Sequence, residues 1–172
     1  MSEYSQSEYI ENIKDHLSNM YFKKEYSEFI HSLMQNKKIQ FNKEVFSKLT
    51  KHLYLEMQRK DKSRDQLFKK AIWPEGKLVL NAEYDNINFD KDEIIFTLDN
   101  ESWTMERLND LIKYHPLVFR KKKILKAEFP ESVKNAIADL LRDHFITKEA
   151  YKNGYEHDIY INQYIDMWRD HY

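Results

Sequence analysis

The scarcity of glycine is the feature that most constrains what this chain can fold into. Only two of its 172 residues are glycine, Gly76 and Gly154. Loops that cradle nucleotide phosphates need several glycines, because the backbone must approach the phosphate closely. Folds with many tight turns between strands also use glycine, since it adopts backbone angles that other residues avoid. The sequence therefore excludes the common nucleotide-binding loops and argues against a turn-rich sandwich or barrel.

The remaining composition is typical of a folded chain without a bound cofactor. Hydrophobic residues make up 41% and aromatic residues 15%, which is too apolar for a disordered protein. Cysteine is absent, which removes disulfides, thiolate nucleophiles and cysteine-bound metals. The formal net charge of -1 provides no overall field that would attract nucleic acid or an anionic membrane. We therefore expect no cofactor, no metal, no nucleic-acid partner and no membrane insertion, and the first residues show no signal-peptide pattern.

Helical periodicity dominates residues 1–75, which we interpret as a helical N-terminal region. One apolar stripe at helical spacing is formed by Ile10, Ile13, Leu17, Met20 and Tyr21. A second stripe, rotated by about 120° at 100° per residue, is formed by Phe22, Tyr26, Phe29, Ile30 and Leu33. The pattern predicts either a helix break near residues 21–24 or one long helix that is buried on two sides. Two more helices are predicted, one from the N-cap Asn42 to about Gln58 and a short one that opens at Ser63 and includes Phe68.

The pattern changes at Gly76, and we place a second region at residues 76–172. Short β-like runs at Leu78–Leu80 and Ile94–Leu98 predict a small β element between Leu78 and Trp103, with a turn at Asp99 and Asn100. Three helices follow, and their predicted boundaries are Thr104 to Pro116, Pro130 to a left-handed Gly154, and Asp158 onwards. The predicted fold class is therefore mostly α (α+β), with a helical N-terminal part, a small β-hairpin element and further helices.

Clusters of charged and titratable residues match no known site pattern. Asp85, Asp90, Asp92 and Glu93 lack the glycine and the final glutamate of a calcium loop, so we interpret them as a solvated loop. The seven histidines include no metal-binding pair at helical spacing, and His144, within an apolar stripe, is predicted to be structural. The basic run at residues 120–126 is interpreted as a solvated face. Twelve tyrosines exceed what a core readily absorbs, because each buried hydroxyl needs a partner, so we expect some at a protein-binding surface.

Residues 93–172 resemble the N-terminal region of SurA-like periplasmic folding factors, chaperones that carry parvulin-type peptidyl-prolyl isomerase domains. The segment EIIFTLDNESWTMERLNDLI resembles the strand, turn, strand and helix that open this region in the family. The segment SVKNAIADLLRDHFITKEAYKNGY resembles the family's signature helix, and IYINQYIDMWRDHY resembles the helix after it. The matching positions of the signature helix are Ile137, Leu140, Leu141, Phe145, Ile146, Ala150 and Gly154. Asp99 and Asn100 replace the family's usual Asn-Gly turn, and residues 1–92 align with nothing in it.

The resemblance implies a SurA-N-like module that holds unfolded or exported polypeptides without chemistry of its own. It implies a periplasmic location, and it carries no catalytic residue to this chain, because no parvulin-type domain is recognisable in it. Together with the excess of tyrosine, it makes five residues candidates for peptide binding: Trp103, Tyr151, Tyr155, Tyr164 and Trp168. Two alternatives stay open. One is a cytoplasmic helical adaptor or regulatory domain that binds one folded partner, and the other is an enzyme whose site is assembled from scattered polar residues.

Overall fold

The computed structural model describes residues 6–59, 68–70, 78–80, 90–121 and 123–171. The chain divides into two compact units, Met1–Asn36 and Lys37–Tyr172. The described helices are α1 (Gln6–Met34), α2 (Lys43–Gln58), α3 (Met105–Tyr114), α4 (Phe129–Lys152) and α5 (Ile159–His171), with a 3-10 turn at Tyr155–His157. The described strands are β1 (Ile39–Phe41), β2 (Phe68–Lys70), β3 (Leu78–Leu80), β4 (Ile94–Leu98), β5 (Glu101–Thr104) and β6 (Val118–Phe119). The predicted class, mostly α with a small β part, is confirmed.

In the first unit, α1 is one continuous helix. The break predicted near residues 21–24 is absent, because a change in the apolar side does not interrupt the backbone hydrogen bonds of a helix that lacks proline and glycine. The prediction of burial on two sides is also wrong for most of the helix. Every residue of the first stripe is at least 43% exposed, and Phe22, Tyr26 and Phe29 of the second stripe are at least 41% exposed. Ile30 and Leu33 are half-buried.

The second unit contains two small antiparallel sheets. In the first, β4 lies between β1 and β5, and Ile39 pairs with Leu98. The predicted turn between β4 and β5 is confirmed, since Asp99 and Asn100 have φ angles of 50° and 70°. This left-handed pair is the backbone of a two-residue hairpin turn, and its hand matches the twist of the strands. The Asp99 carboxylate accepts a hydrogen bond from the Lys38 backbone N–H at 3.0 Å, which ties the turn to the start of β1.

The second sheet has the order β2-β3-β6. The short helix predicted through Phe68 is wrong at this residue. Phe68 belongs to β2 and pairs with Leu80 of β3 in an antiparallel ladder. A short apolar run does not distinguish a strand from a helix by periodicity, and the pairing partner decides. The predicted capping box at Ser63 and the predicted boundary at Gly76 lie outside the described residues. The pairing of β1 with β4 joins residues from both sides of that boundary.

Local capping signals position α2, α3 and α5. The Asn42 side chain accepts hydrogen bonds from the backbone N–H groups of Glu44 and Val45, and Thr104 accepts one from Arg107. The Asp158 carboxylate accepts from the backbone N–H groups of Tyr160 and Ile161, the second and third residues of α5, at 2.8 and 3.1 Å. These three predicted N-caps are confirmed, and each satisfies donors that have no partner within the helix. Gly154 has φ = 74°, which confirms its predicted left-handed conformation after α4.

The hydrophobic core of the second unit lies among α2, α3, α4 and the two sheets. Its largest side chains are aromatic: Phe119 stacks on Phe129 at 5.8 Å, and the Tyr54 ring meets Phe129 edge-on at 5.3 Å. The buried aliphatic members are Val45, Leu49, Leu53, Leu80, Ile95, Leu98, Leu108, Ile112, Leu117, Ile124, Val133, Ala136, Ile137, Leu140 and Leu141. By contrast, the described side chains of α5 are all exposed.

Candidate functional site

Trp103 belongs to the core and is unavailable to a peptide. Its residue is 2% exposed, so its prediction as a peptide-binding residue is wrong. The indole stacks on Phe96 at 5.4 Å between ring centroids, and the Arg107 guanidinium lies 3.8 Å from its centroid. Arg107 also donates to the Glu101 carboxylate at 2.6 Å, and this hydrogen bond lowers the pKa of Glu101. The reason for the burial is the strand alternation of β5, which directs Trp103 into the core while its neighbour Ser102 is exposed.

His144 lies beside this tryptophan. Its imidazole meets the Trp103 ring edge-on, with 5.8 Å between centroids, and also contacts Phe145. Burial lowers the pKa of His144, and the positive charge of Arg107 acts in the same direction. A neutral imidazole packed against an aromatic ring agrees with the structural role predicted for this residue. The described neighbours of this imidazole are thus the rings of Trp103 and Phe145, with the Arg107 guanidinium close enough to influence its charge.

The other four candidates for peptide binding are exposed. Tyr151 and Tyr155, at the end of α4 and in the 3-10 turn, are 63% and 53% exposed. Tyr164 and Trp168, on α5, are 67% and 56% exposed. The structure brings Tyr164 and Trp168 together on one side of α5, and Tyr151 and Tyr155 are not part of that group. Exposure makes the four residues accessible, and their role in peptide binding stays a prediction.

The group on α5, which we call the C-terminal apolar face, consists of Tyr160, Ile161, Tyr164, Ile165 and Trp168. These side chains border an open hollow of about 510 Å³. Their spacing repeats every three to four residues, which places them along one side of the helix. Tyr160 was not among the predicted binding residues, although its spacing of four from Tyr164 could have revealed it.

Tyrosine is distributed on the surface of the molecule. Every tyrosine whose side chain is described is exposed except Tyr54, and the exposed set is Tyr9, Tyr21, Tyr26, Tyr114, Tyr151, Tyr155, Tyr160 and Tyr164. The expectation that the core does not absorb the tyrosines is confirmed for these residues. Most of them lie on α1 and α5 or next to α5. An aromatic ring with a polar edge suits a surface that is in water in the free protein and is covered when a partner binds.

A second hollow, which we call the α2–α4 cleft, has a volume of about 410 Å³. It is lined chiefly by Lys51, Tyr54, Leu55, Lys126, Phe129 and Pro130. Leu55 is 65% exposed, whereas Phe129 forms a buried floor. The hydroxyl of Thr50, which also lines the cleft, already donates to the Phe46 carbonyl at 2.9 Å. The cleft therefore combines an apolar surface with two cationic side chains.

Several residues of the charged clusters found in the sequence form hydrogen bonds or ion pairs within the described part of the chain. Asp90 accepts a hydrogen bond from the Asp92 backbone N–H, and Glu93 pairs with Lys48 at 3.1 Å; Asp85 lies outside the described residues. In the basic run, Arg120 makes a bidentate contact with Asp139, and Lys121 pairs with Glu128. Within the described ranges, no group of three or more ligating side chains could hold a metal ion. Nor does any described helix combine the length and apolarity needed to cross a membrane.

Comparison of the chain with protein-family models, with curated proteins and with solved structures finds no match.

Proposed function

We propose that this chain is a polypeptide-binding module, the chaperone part of a SurA-like foldase, which holds unfolded or exported chains without chemistry of its own. One observation carries the proposal: large apolar and aromatic side chains stand exposed along α1 and along the C-terminal apolar face. The resemblance of residues 93–172 to the SurA-like family agrees with it. A periplasmic location is part of the same proposal, because it follows from the same resemblance.

Covering these exposed apolar side chains with a client lowers the free energy of the system, because apolar surface leaves water. Contiguous exposed apolar surface on a folded chain marks an interaction site, since each side chain that leaves water contributes about 1.5–3 kcal/mol. Tyr164 and Trp168 can present an aromatic ring to an apolar client, and each ring also carries a polar group at its edge. Such contacts depend little on sequence, and they therefore suit a binder of many different unfolded chains.

The test is suppression of aggregation with several unrelated unfolded clients. We expect the chain to delay aggregation, and we expect Tyr164→Ser/Trp168→Ser to weaken the delay while the melting temperature stays within a few degrees, since both side chains are exposed. Tyr114→Ser is the matched control, because Tyr114 is 81% exposed on α3 and lies outside the C-terminal apolar face. Proline-limited refolding should not accelerate as the protein concentration rises. A failure to delay aggregation of any client would contradict the proposal.

The alternative is a helical adaptor, cytoplasmic in location, that binds one folded partner. The C-terminal apolar face favours it, because Ile161, Ile165 and Trp168 follow the spacing of a helix that docks in a groove. The same experiment separates the two functions. An adaptor should leave the aggregation of unrelated clients unchanged, whereas a chaperone should delay several of them.

A further inference from the structure

The walls of the α2–α4 cleft come from two helices and have features that could select among polypeptide segments. Residues 47, 50, 51, 54 and 55 follow helical spacing, so one side of α2 forms a wall of the cleft. The opposite wall is the start of α4, with Phe129 and Pro130, and the segment just before it contributes Lys126. Both walls belong to the same compact unit, and the edge contact of Tyr54 with Phe129 joins them.

The apolar part of the cleft is large enough for a side chain of a partner. The volume of the whole cleft, about 410 Å³, falls within the range of small ligand sites, about 300–1,000 Å³. Leu55 is 65% exposed at its rim, although the helix otherwise buries its leucines. A hydrophobic anchor placed here would cover Leu55 and the exposed part of the Tyr54 ring. The polar Thr50 hydroxyl would not compete for the anchor, since its hydrogen bonds stay within α2.

The charged side chains that line the cleft are two lysines, Lys51 and Lys126. Lys51 and Lys126 are exposed, and neither makes an ion pair with a residue that the structure describes. Two carboxylates lie in the first part of α4 or just before it, but Glu128 pairs with Lys121 at 3.5 Å and Glu131 with Lys134 at 3.3 Å. The beginning of α4 adds the positive end of a helix dipole. An anionic group at the rim would therefore meet two ammonium groups that no described carboxylate already neutralises.

The neighbouring hollow shows that this charge pattern is particular to the cleft. That hollow, about 320 Å³ in volume, is lined by Arg120, Lys121, Glu128 and Glu131, among others. Its cations are already neutralised, because Arg120 contacts Asp139 and Lys121 contacts Glu128. An acidic ligand would have to break those pairs, whereas in the α2–α4 cleft it would not.

We infer that the α2–α4 cleft binds a peptide segment in which a large apolar residue is flanked by Asp or Glu. The apolar residue enters between α2 and the start of α4, and the acidic flanks pair with Lys51 and Lys126. This inference rests on the proposed polypeptide-binding function and names the class of segment that it prefers. It also separates two surfaces, since the C-terminal apolar face contains no charged side chain and should not distinguish acidic from neutral flanks.

The experiment measures the anisotropy of two labelled peptides that share a phenylalanine anchor and differ only in Asp or Asn flanks. We expect the full-length chain to bind the Asp-flanked peptide about fivefold more tightly at low salt, with the preference shrinking as salt rises. Lys51→Glu/Lys126→Glu should abolish or reverse the preference, and Leu55→Ser should weaken both peptides. Lys148→Glu is the control, because this exposed lysine lies roughly 27 Å along α4 from Pro130, at 1.5 Å per residue.

Two results would overturn the inference: equal binding of the two peptides by the unaltered chain, or a preference that survives in Lys51→Glu/Lys126→Glu. Far-UV circular dichroism of each variant checks that it is folded. Aggregation assays on the same samples keep the two proposals apart. If the chain delays aggregation but does not prefer the Asp-flanked peptide, only the cleft inference is refuted. If it prefers the Asp-flanked peptide but does not delay aggregation, only the chaperone function is refuted.

Discussion

Removal of the Trp103 ring gives the most direct test of how the core is assembled. The residue is 2% exposed and contacts Phe96, Arg107 and His144. It therefore joins β4, β5, α3 and α4 through one side chain. The described residues offer no acceptor to its indole N–H, so this buried donor is unpaired. The perturbations are Trp103→Ala, which removes the whole ring, and Trp103→Phe, which keeps an aromatic ring and removes the N–H.

The two substitutions should differ clearly in the free energy of unfolding. Truncation of a buried tryptophan to alanine costs about 3–5 kcal/mol, a large part of the 5–15 kcal/mol typical of a domain. Phenylalanine retains most of the ring contacts and loses about 1–2 kcal/mol through its smaller volume. Removal of an unpaired buried N–H returns about 1 kcal/mol. We therefore expect a loss of about 0–1 kcal/mol for Trp103→Phe, and about 3–5 kcal/mol for Trp103→Ala.

Urea denaturation followed by far-UV circular dichroism measures both losses, since tryptophan fluorescence would change with the substitution itself. A loss below about 1 kcal/mol for Trp103→Ala would refute the burial argument. A loss for Trp103→Phe as large as that for alanine would refute the claim that the N–H is unpaired. Because the ring is buried, Trp103→Phe should also leave client binding unchanged, whereas weaker binding at equal folded fraction would restore Trp103 as a binding residue.

Three further predictions concern local features of the fold. The pKa of His144 is lowered by burial, and next by Arg107, His115 and Lys148, so the folded state resists its protonation. The free energy of unfolding should therefore fall as the pH drops through and below the ordinary histidine pKa of 6.5. In His144→Leu this fall should be smaller. The same pH profile of unfolding in both proteins would contradict this prediction. Asn100→Gly should raise stability by about 0.5–1 kcal/mol, since φ is 70° there; a lower melting temperature would count against it. Asn42→Ala should lower stability by about 1 kcal/mol in urea titrations, and no change would mean that the cap is dispensable.

Short-range chemistry in the sequence predicted much of this fold correctly. The N-caps Asn42, Thr104 and Asp158 stand where side-chain oxygens can bond to free helix N–H groups a few residues away. Gly154 and the turn after β4 likewise depend on the backbone preferences of single residues. Each of these features involves partners within about four residues, and the sequence contains all the information that they need.

Features that depend on distant partners were missed or misassigned. The strand β1 was not predicted, because it exists through pairing with β4, as in Ile39 with Leu98. Phe68 was assigned to a helix for the same reason, since only its partner Leu80 makes it a strand. The candidate site shows the same limit. Trp103 and Trp168 both lie at apolar positions of their elements, yet one is 2% exposed and the other 56%.

Local residue chemistry predicts where α2, α3, α4 and α5 begin and which sides of the helices are apolar. Packing between distant segments then sets which of those apolar sides the chain covers with its own residues. The stripes of α2 and α4 became core, whereas those of α5 and most of α1 stayed in contact with solvent. The physical reason is that the periodicity of apolar residues shows which side of a helix is apolar, whereas the surface that covers this side comes from residues far away in the chain.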